Sequence, residues 1–95
     1  MSDVIDSAVA ALDEKLGGGF DGSVKFEIEG EGAIIVDGGG VRAGDEPADC
    51  TLKADAETFR AILEGELNPT TAFMSGRLSV DGDMGTAMRL GATLG

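Results

Sequence analysis

The first pattern in the chain is an apolar stripe that recurs at three- and four-residue spacing, which predicts an amphipathic helix near the start. The stripe consists of Val4, Ile5, Ala8, Val9, Leu12 and Leu16. Ser2 or Asp3 is the expected N-cap, because a short polar side chain can accept hydrogen bonds from the first turn. Gly17-Gly18-Gly19 should end the helix, since glycine readily adopts the left-handed conformation common at helix C-termini.

Alternation of apolar and charged residues then predicts strands. Residues 24–29 alternate strictly, which indicates a strand with one buried face and one wet face. Residues 33–37 begin with four apolar side chains, so both faces of this second strand should be at least partly covered. After a glycine-rich turn, residues 41–43 form a third, short strand of an antiparallel meander.

Two further strands complete the predicted sheet, at residues 48–54 and 77–81. Because the first strand keeps a charged face, helices should pack on only one side. The predicted fold class is therefore α+β, with two layers and a five-stranded, mostly antiparallel sheet that has helices packed on one face. We expect a single domain spanning residues 1–95.

Short polar residues mark the starts of the later helices. Asp55 should cap one helix, and Asn68 should cap the next, with Pro69 at its first position where the missing N–H costs nothing. Gly82 is expected to turn the chain after the last strand. Asp83 should then cap the final helix.

Charge narrows the possible partners. The chain has 18 acidic and 7 basic residues and a formal charge of −11, which would repel nucleic acid and anionic membranes. No apolar run is long enough to span a bilayer, so stable membrane insertion is not expected. A single cysteine, Cys50, cannot form an internal disulfide, and a cytoplasmic location is predicted.

The polar residues offer little chemistry. The chain has no histidine, which removes the commonest general base and metal ligand. Cys50 shares the apolar face of its strand with Leu52, where a thiol is usually inert packing. Asp81-Gly82-Asp83 lacks the other ligands of a calcium loop, and the glycine runs match no phosphate-binding motif. We therefore predict no catalytic residue, no metal and no cofactor.

The final helix carries more apolar surface than a one-sided helix needs. One stripe consists of Met84, Ala87, Met88 and Gly91, and a second contains Leu90 and Leu94. Either the helix is deeply buried, or it covers a cavity or a partner. On periodicity alone, ordinary core packing is the favoured interpretation.

Four segments together resemble the sterol carrier protein 2 family: ADCTL at 48–52, EGELNP at 64–69, AFMSG at 72–76 and GDM at 82–84. The resemblance implies a five-stranded sheet covered on one side by helices, with an apolar tunnel between the layers. It also implies non-enzymatic binding of sterols, fatty acids, fatty acyl-coenzyme A or other lipids. Some bacterial relatives are accessory lipid-binding domains in isoprenoid quinone synthesis.

The predicted function is non-enzymatic binding or transfer of an apolar lipid, such as a fatty acid, a sterol-like lipid or an isoprenoid lipid. The candidate pocket residues are Ile34, Phe59, Ile62, Phe73, Met74, Leu78, Met84 and Met88. Arg77 and Arg89 are the only cations that flank this region. Since the phosphates of coenzyme A need cations, a neutral lipid or a fatty acid is favoured over a coenzyme A thioester.

An alternative is an interaction module, in which the cavity is filled and the last helix packs on a partner or a second copy. Longer members of the family close the tunnel with a C-terminal segment. In this sequence closure depends on residues 84–94, so the cavity should be shallow, open or sealed by a homodimer.

Overall fold

The computed structural model of the chain describes residues 3–17 and 19–94, with residue 94 described by its backbone only. In chain order the elements are α1 (Asp3–Leu16), β1 (Val24–Ile28), β2 (Gly32–Asp37), β3 (Gly40–Ala43), β4 (Cys50–Ala54), α2 (Ala56–Leu63), α3 (Pro69–Met74), β5 (Ser79–Gly82) and α4 (Met84–Leu94). Asp3 is already helical, and the other expected N-cap, Ser2, lies outside the described residues, as does Gly18. The five-stranded sheet and the helices confirm the predicted α+β class.

The strand order in the sheet is β3-β2-β1-β4-β5, with β1 in the centre. β2 pairs antiparallel with β1 and β3, and β5 pairs antiparallel with β4, so the meander and the mostly antiparallel sheet are confirmed. β1 and β4 are parallel, with Phe26 opposite Leu52. Alternation could not indicate this pairing, because it assigns side chains to faces without naming the neighbouring strand.

The hydrophobic core lies between the helices and one face of the sheet. The register places Phe26 between Ile34 and Leu52, and all three side chains are buried. Helix α1 packs over β2 and β3, while α4 packs over β4 and β5. The buried members of the stripe predicted for α1 are Ile5, Ala8 and Leu12. Packing on a single face of the sheet agrees with the two-layer prediction.

The outer face of the sheet carries a polar cover over one apolar side chain. Ile35 lies between Lys25 and Arg42 in the register and points away from the core, yet it is only 1% exposed. The connection from β3 to β4 has to cross the sheet, because β4 lies beyond β1, and its contacts place it on this face. Its Asp45 carboxylate lies 2.8 Å from the Lys25 ammonium, and its Glu46 lies 3.0 Å from the Arg42 guanidinium. The prediction that both faces of the second strand are covered is confirmed.

The last strand begins later than the alternation predicts. The N–H groups of Arg77 and Leu78 both donate to the Ala72 carbonyl oxygen, at 2.9 and 3.1 Å, where they close the end of α3. These two donors are already used at the helix end. The strand therefore starts at Ser79 instead of residue 77, and Leu78 is a buried turn residue.

Gly82 lies where two backbone segments approach closely. The sequence predicts a turn at this residue, but in the structure it is the last residue of β5 and pairs with Cys50. Its φ is +98°, and a Cβ built on it would lie 2.5 Å from the Asp49 carbonyl oxygen and 3.0 Å from the Cys50 Cα. Both the φ angle and the contact with fixed backbone require glycine.

Gly82→Ala should destabilise the fold more than Gly30→Ala, which is a matched control. Gly30 also has a positive φ, +78°, but an added Cβ there meets no atom within 4 Å. The control should lose about 1 kcal/mol of unfolding free energy from the φ angle alone. Gly82→Ala should lose about 2 kcal/mol more, because the backbone has to move. Chemical denaturation measures both values, and equal losses would contradict the close approach.

Candidate functional site

An apolar cavity of about 550 Å³ lies between the inner face of the sheet and helices α2, α3 and α4. Strand residues form its base and helical residues form most of its walls. The residues that line it are Phe26, Leu52, Phe59, Ile62, Asn68, Pro69, Thr70, Phe73, Met74, Leu78, Val80, Met84, Ala87, Met88, Gly91 and Ala92. Its mouth opens to solvent, so a ligand can enter without separating the two layers.

The base of the cavity is buried. We call its residues the floor: Phe26, Leu52, Phe59, Ile62 and Leu78. The rings of Phe26 and Phe59 pack with their centroids 5.0 Å apart and their planes tilted by 41°, an arrangement that stabilises aromatic pairs. Helix α2 starts where the Asp55 carboxylate accepts a hydrogen bond from the Thr58 N–H at 2.7 Å. This confirms the predicted cap and places Phe59 in the first turn, above the sheet.

The mouth of the cavity is surrounded by exposed apolar side chains. We call them the rim: Phe73, Met74, Met84 and Met88. Met74 is 81% exposed and Met88 is 71% exposed. Helix α3, which carries two rim residues, is capped as predicted: Asn68 Oδ1 accepts a hydrogen bond from the Thr70 N–H at 2.8 Å. Because methionine is unbranched and polarisable, such a rim can adapt to an apolar ligand of irregular shape.

Helix α4 covers the cavity with one face and packs into the core with another. Leu90 is fully buried, whereas the side chain of Leu94, in the same predicted stripe, lies outside the described part of the chain. The cap predicted at Asp83 is confirmed: its carboxylate accepts hydrogen bonds from the Gly85 N–H at 2.9 Å and the Thr86 hydroxyl at 3.0 Å. Since the methionines of the other stripe stand at the rim, α4 is not deeply buried and covers a cavity.

The cavity lining carries no formal charge among its described residues. Arg89 does not line it, because its guanidinium lies 5.8 Å from the centre of the Phe20 ring and 3.7 Å from the Asp21 carboxylate. The same guanidinium donates to the Thr86 hydroxyl oxygen at 3.3 Å. Arg77 is exposed in the turn after α3 and is not a lining residue either. The two arginines that flank the region in sequence therefore do not form a phosphate site inside it.

Seven of the eight predicted pocket residues line the cavity. They are Phe59, Ile62, Phe73, Met74, Leu78, Met84 and Met88. Ile34 is not among the lining residues, because it lies on β2, the strand over which α1 packs, and is fully buried in the core there. That the seven contact a ligand stays a prediction.

Some lining residues were not among the predicted pocket residues, although the sequence carried a signal for them. Phe26, Leu52 and Val80 occupy inward-facing strand positions, which the alternation already indicates. Ala87 and Gly91 share the helical stripe of the α4 methionines. By contrast, Asn68, Pro69 and Thr70 line the cavity because the preceding loop brings the start of α3 to its mouth. The path of that loop cannot be predicted from a local sequence pattern.

Three other possible features are a reactive thiol, a metal site and a membrane-spanning helix. Cys50 is buried as predicted, and burial raises the pKa of its thiol, with the Asp83 and Asp49 carboxylates acting in the same direction. Within residues 3–17 and 19–94, no group of three or more histidine, cysteine, aspartate or glutamate side chains could hold a metal ion. No helix in these ranges combines the length and the apolarity needed to cross a bilayer.

A second groove, of about 480 Å³, lies between α1 and α2. Phe59 lines both this groove and the cavity. The groove differs in character, because Asp3, Arg60 and Glu64 are among its lining residues. The uncharged cavity is therefore the better candidate for an apolar ligand.

The fold and the cavity define a class of protein, a two-layer α+β domain with an apolar cleft between its sheet and its helices. The sequence profile of the SCP-2 sterol transfer family matches residues 7–95. The chain belongs to this family, as the resemblance of its 48–84 segments predicted.

Curated relatives match over a limited part of their own length. The chain is 40% identical to hydroxysteroid dehydrogenase-like protein 2 of Danio rerio over 77 residues, which is 73% of this chain. It is 37% identical to sterol carrier protein 2 of Homo sapiens over 83 residues, which is 81% of this chain. The match spans only 19% of the first protein and 15% of the second.

Solved structures have the same fold. Sterol carrier protein 2 like 2 of Aedes aegypti is similar with a TM-score of 0.78, at 21% identity, over 94% of each chain. Sterol carrier protein 2 of Aedes aegypti, in complex with the C16 fatty acid palmitate, gives a TM-score of 0.77 at 21% identity. That comparison covers 99% of this chain and 96% of the other. At this level of identity the likeness establishes the fold alone.

Stability in acid should depend on the cap of α4. Hydrogen bonds from the hydroxyl and N–H of Thr86, and from the Gly85 N–H, hold the pKa of Asp83 below its usual value. Its contribution is therefore complete above the unfolded pKa of about 3.9 and is lost as the pH falls through the lower folded pKa. Asp83→Asn should consequently lose less unfolding free energy than the parent chain between about pH 4 and pH 2.

Asp81→Asn is the charge-matched control for this prediction, because it removes one carboxylate from the neighbouring strand and leaves the capping carboxylate of Asp83 in place. Its acid dependence should follow that of the parent chain. Urea denaturation at a series of pH values measures all three proteins. The role of the Asp83 carboxylate is refuted if Asp83→Asn loses as much stability in acid as the parent does.

Proposed function

We propose that this chain binds an apolar lipid in the cavity and transfers it without catalysing a reaction on it. The observation that carries this proposal is an open, uncharged cavity whose exposed rim is made of methionine and phenylalanine side chains. Exposed apolar side chains clustered around a concave site are typical of ligand-binding surfaces. Membership of the SCP-2 sterol transfer family supports the same ligand class.

The size of the cavity suits a lipid chain. Its volume of about 550 Å³ falls within the usual range for small-molecule sites in proteins. Burying about 300 Å² of lipid surface would contribute about 7 kcal/mol before the costs of ordering the ligand. Hydrophobic burial is therefore the main favourable contribution to binding that this uncharged cavity offers.

The proposed ligands are a fatty acid, a sterol-like lipid or an isoprenoid lipid. A palmitate complex of the similarly folded Aedes aegypti protein supports the first of these. We propose that the floor and the rim make the contacts, while Ile34 stabilises the floor from the neighbouring strand. We also propose that residues 1–95 act as a single domain, and a reducing cytoplasm remains the predicted location.

A carrier role is favoured over an enzymatic one by the side chains around the cavity. Its polar lining residues are neutral, namely Asn68 and Thr70. The Cys50 thiol is buried and its pKa is raised, so it is a poor nucleophile at neutral pH. These groups supply neither a base nor an activated nucleophile for the cavity.

The direct test is native mass spectrometry of the chain purified from its own host, followed by organic extraction and identification of bound lipid. Titration of the delipidated chain with fatty acid, sterol and isoprenoid alcohol then measures uptake. A chain that carries no lipid and takes up none of these would refute the proposal.

Filling the cavity should weaken lipid binding without loss of stability. Gly91 lies on α4 in the lining, and the nearest atom to a Cβ added there is 3.8 Å away. Gly91→Leu therefore places a side chain in the cavity without a backbone clash, and it also replaces a helical glycine, which favours the helix by about 0.8 kcal/mol. Affinity for lipid should fall by about tenfold or more.

Thr93→Leu is the matched control, since it adds the same side chain to an exposed position of the same helix outside the lining. Competition with a fluorescent lipid gives the affinities, and thermal unfolding reports the stability of each variant. If Gly91→Leu binds lipid as tightly as the control, the ligand does not occupy this cavity.

A second candidate function is an interaction module, and the exposure of the rim is the observation that favours it. A second copy or another partner could cover these apolar side chains in place of a lipid. If so, Met74→Glu combined with Met88→Glu should convert a dimer into a monomer, because two charges would be placed in the interface. Multi-angle light scattering across a concentration series tests this, and a parent chain that is monomeric throughout removes the basis for a homodimer.

A further inference from the structure

We infer that the cavity selects uncharged lipids, such as long-chain alcohols or esters, over ionised lipids of the same chain length. This inference rests on the proposed function and narrows the class of ligand. It follows from the location of every basic side chain in the chain, from the neutral groups at the mouth, and from the overall charge.

The sheet separates three of the seven basic residues from the cavity. Lys25, Arg42 and Lys53 lie on the outer face, since they alternate with inward-facing residues in β1, β3 and β4. Lys25 and Arg42 are also engaged by acidic partners there, at 2.8 and 3.0 Å. None of these cations can approach a ligand held on the inner face.

The four helical and loop cations are also placed outside the lining. Lys15 is in the last turn of α1, and Arg60 lines the second groove. Arg89 is held by the Phe20 ring and the Thr86 hydroxyl. Arg77 is exposed in the turn before β5 and is absent from the lining. A carboxylate or phosphate bound in the cavity would therefore find no partner of opposite charge among the described lining residues.

The mouth offers neutral polar groups instead. Asn68 and Thr70 are the polar side chains among the described lining residues, and they can hydrogen-bond to a hydroxyl or a carbonyl oxygen. An ionised head group drawn into the cavity would lose its hydration without gaining an ion pair, which is strongly unfavourable. If it stayed in the mouth, it would keep its water but would remain in the field of the protein.

That field opposes an anion. The chain carries a formal charge of −11, and such an excess creates a negative potential around the whole molecule. The potential acts on a carboxylate at the mouth and has no comparable effect on an alcohol. It is screened by salt, with a Debye length of about 10 Å at 0.1 M ionic strength. The preference for an uncharged lipid over an ionised one should thus be largest at low ionic strength.

The test compares hexadecan-1-ol with hexadecanoate, two probes of equal chain length, presented to the delipidated chain from the same cyclodextrin carrier at pH 8. The alcohol should bind about tenfold more tightly at low ionic strength, and the ratio should shrink as salt is added. Equal affinity, or tighter binding of hexadecanoate, would overturn this inference while leaving the proposed function intact. Failure of hexadecan-1-ol to bind would overturn this inference as well, and failure of fatty acid, sterol and isoprenoid alcohol together would refute the proposed function itself.

A pair of lysine variants then separates the local lining from the overall field. Thr70→Lys adds a cation at the mouth, whereas Thr71→Lys adds the same charge to the next exposed residue, which does not line the cavity. Thr70→Lys should tighten hexadecanoate binding about fivefold, with little change for the alcohol, and Thr71→Lys should do so by less than twofold. Equal gains from the two variants would overturn the assignment of selectivity to the lining.

Discussion

The parallel contact between β1 and β4 is the constraint on which the rest of the structure depends. It places Leu52 beside Phe26, and these two side chains form the part of the cavity floor contributed by the sheet. The β3–β4 connection crosses the sheet on the outer face, where its acidic side chains pair with Lys25 and Arg42 on either side of the buried Ile35. The two faces of the sheet thus have opposite roles: the inner one is apolar and carries the helices, and the outer one carries ion pairs.

The cavity exists because α4 is anchored over only part of its apolar surface. Its cap at Asp83 and the buried side chain of Leu90 position the helix, while Met84 and Met88 remain at the rim. These exposed side chains do not contribute the hydrophobic free energy that they would contribute if they were buried in a filled core. A small domain has little stability to spare, so this exposure is best explained by a ligand or partner that covers the rim.

The distribution of charge follows the same division. The basic residues of the strands lie on the outer face, where Lys25 and Arg42 pair with acidic side chains. Among the described residues, no basic side chain lines the cavity. The acidic excess therefore surrounds an uncharged cleft instead of being balanced within it. Affinity for a lipid chain would then come from hydrophobic burial, and selection among head groups would come from electrostatics.

Local sequence patterns were sufficient to predict the helices and strands and the caps at Asp55, Asn68 and Asp83. They also predicted the inward face of each strand and the apolar stripes of α1 and α4. All of these features depend on neighbours within a few residues. The family segments added the fold and the ligand class. Only the tertiary structure decided that β4 lies parallel to β1, that the last strand starts at Ser79, and that Ile34 is core while seven other predicted residues line a cavity. Periodicity states which face a side chain occupies, whereas the partner it meets there depends on how distant segments cross.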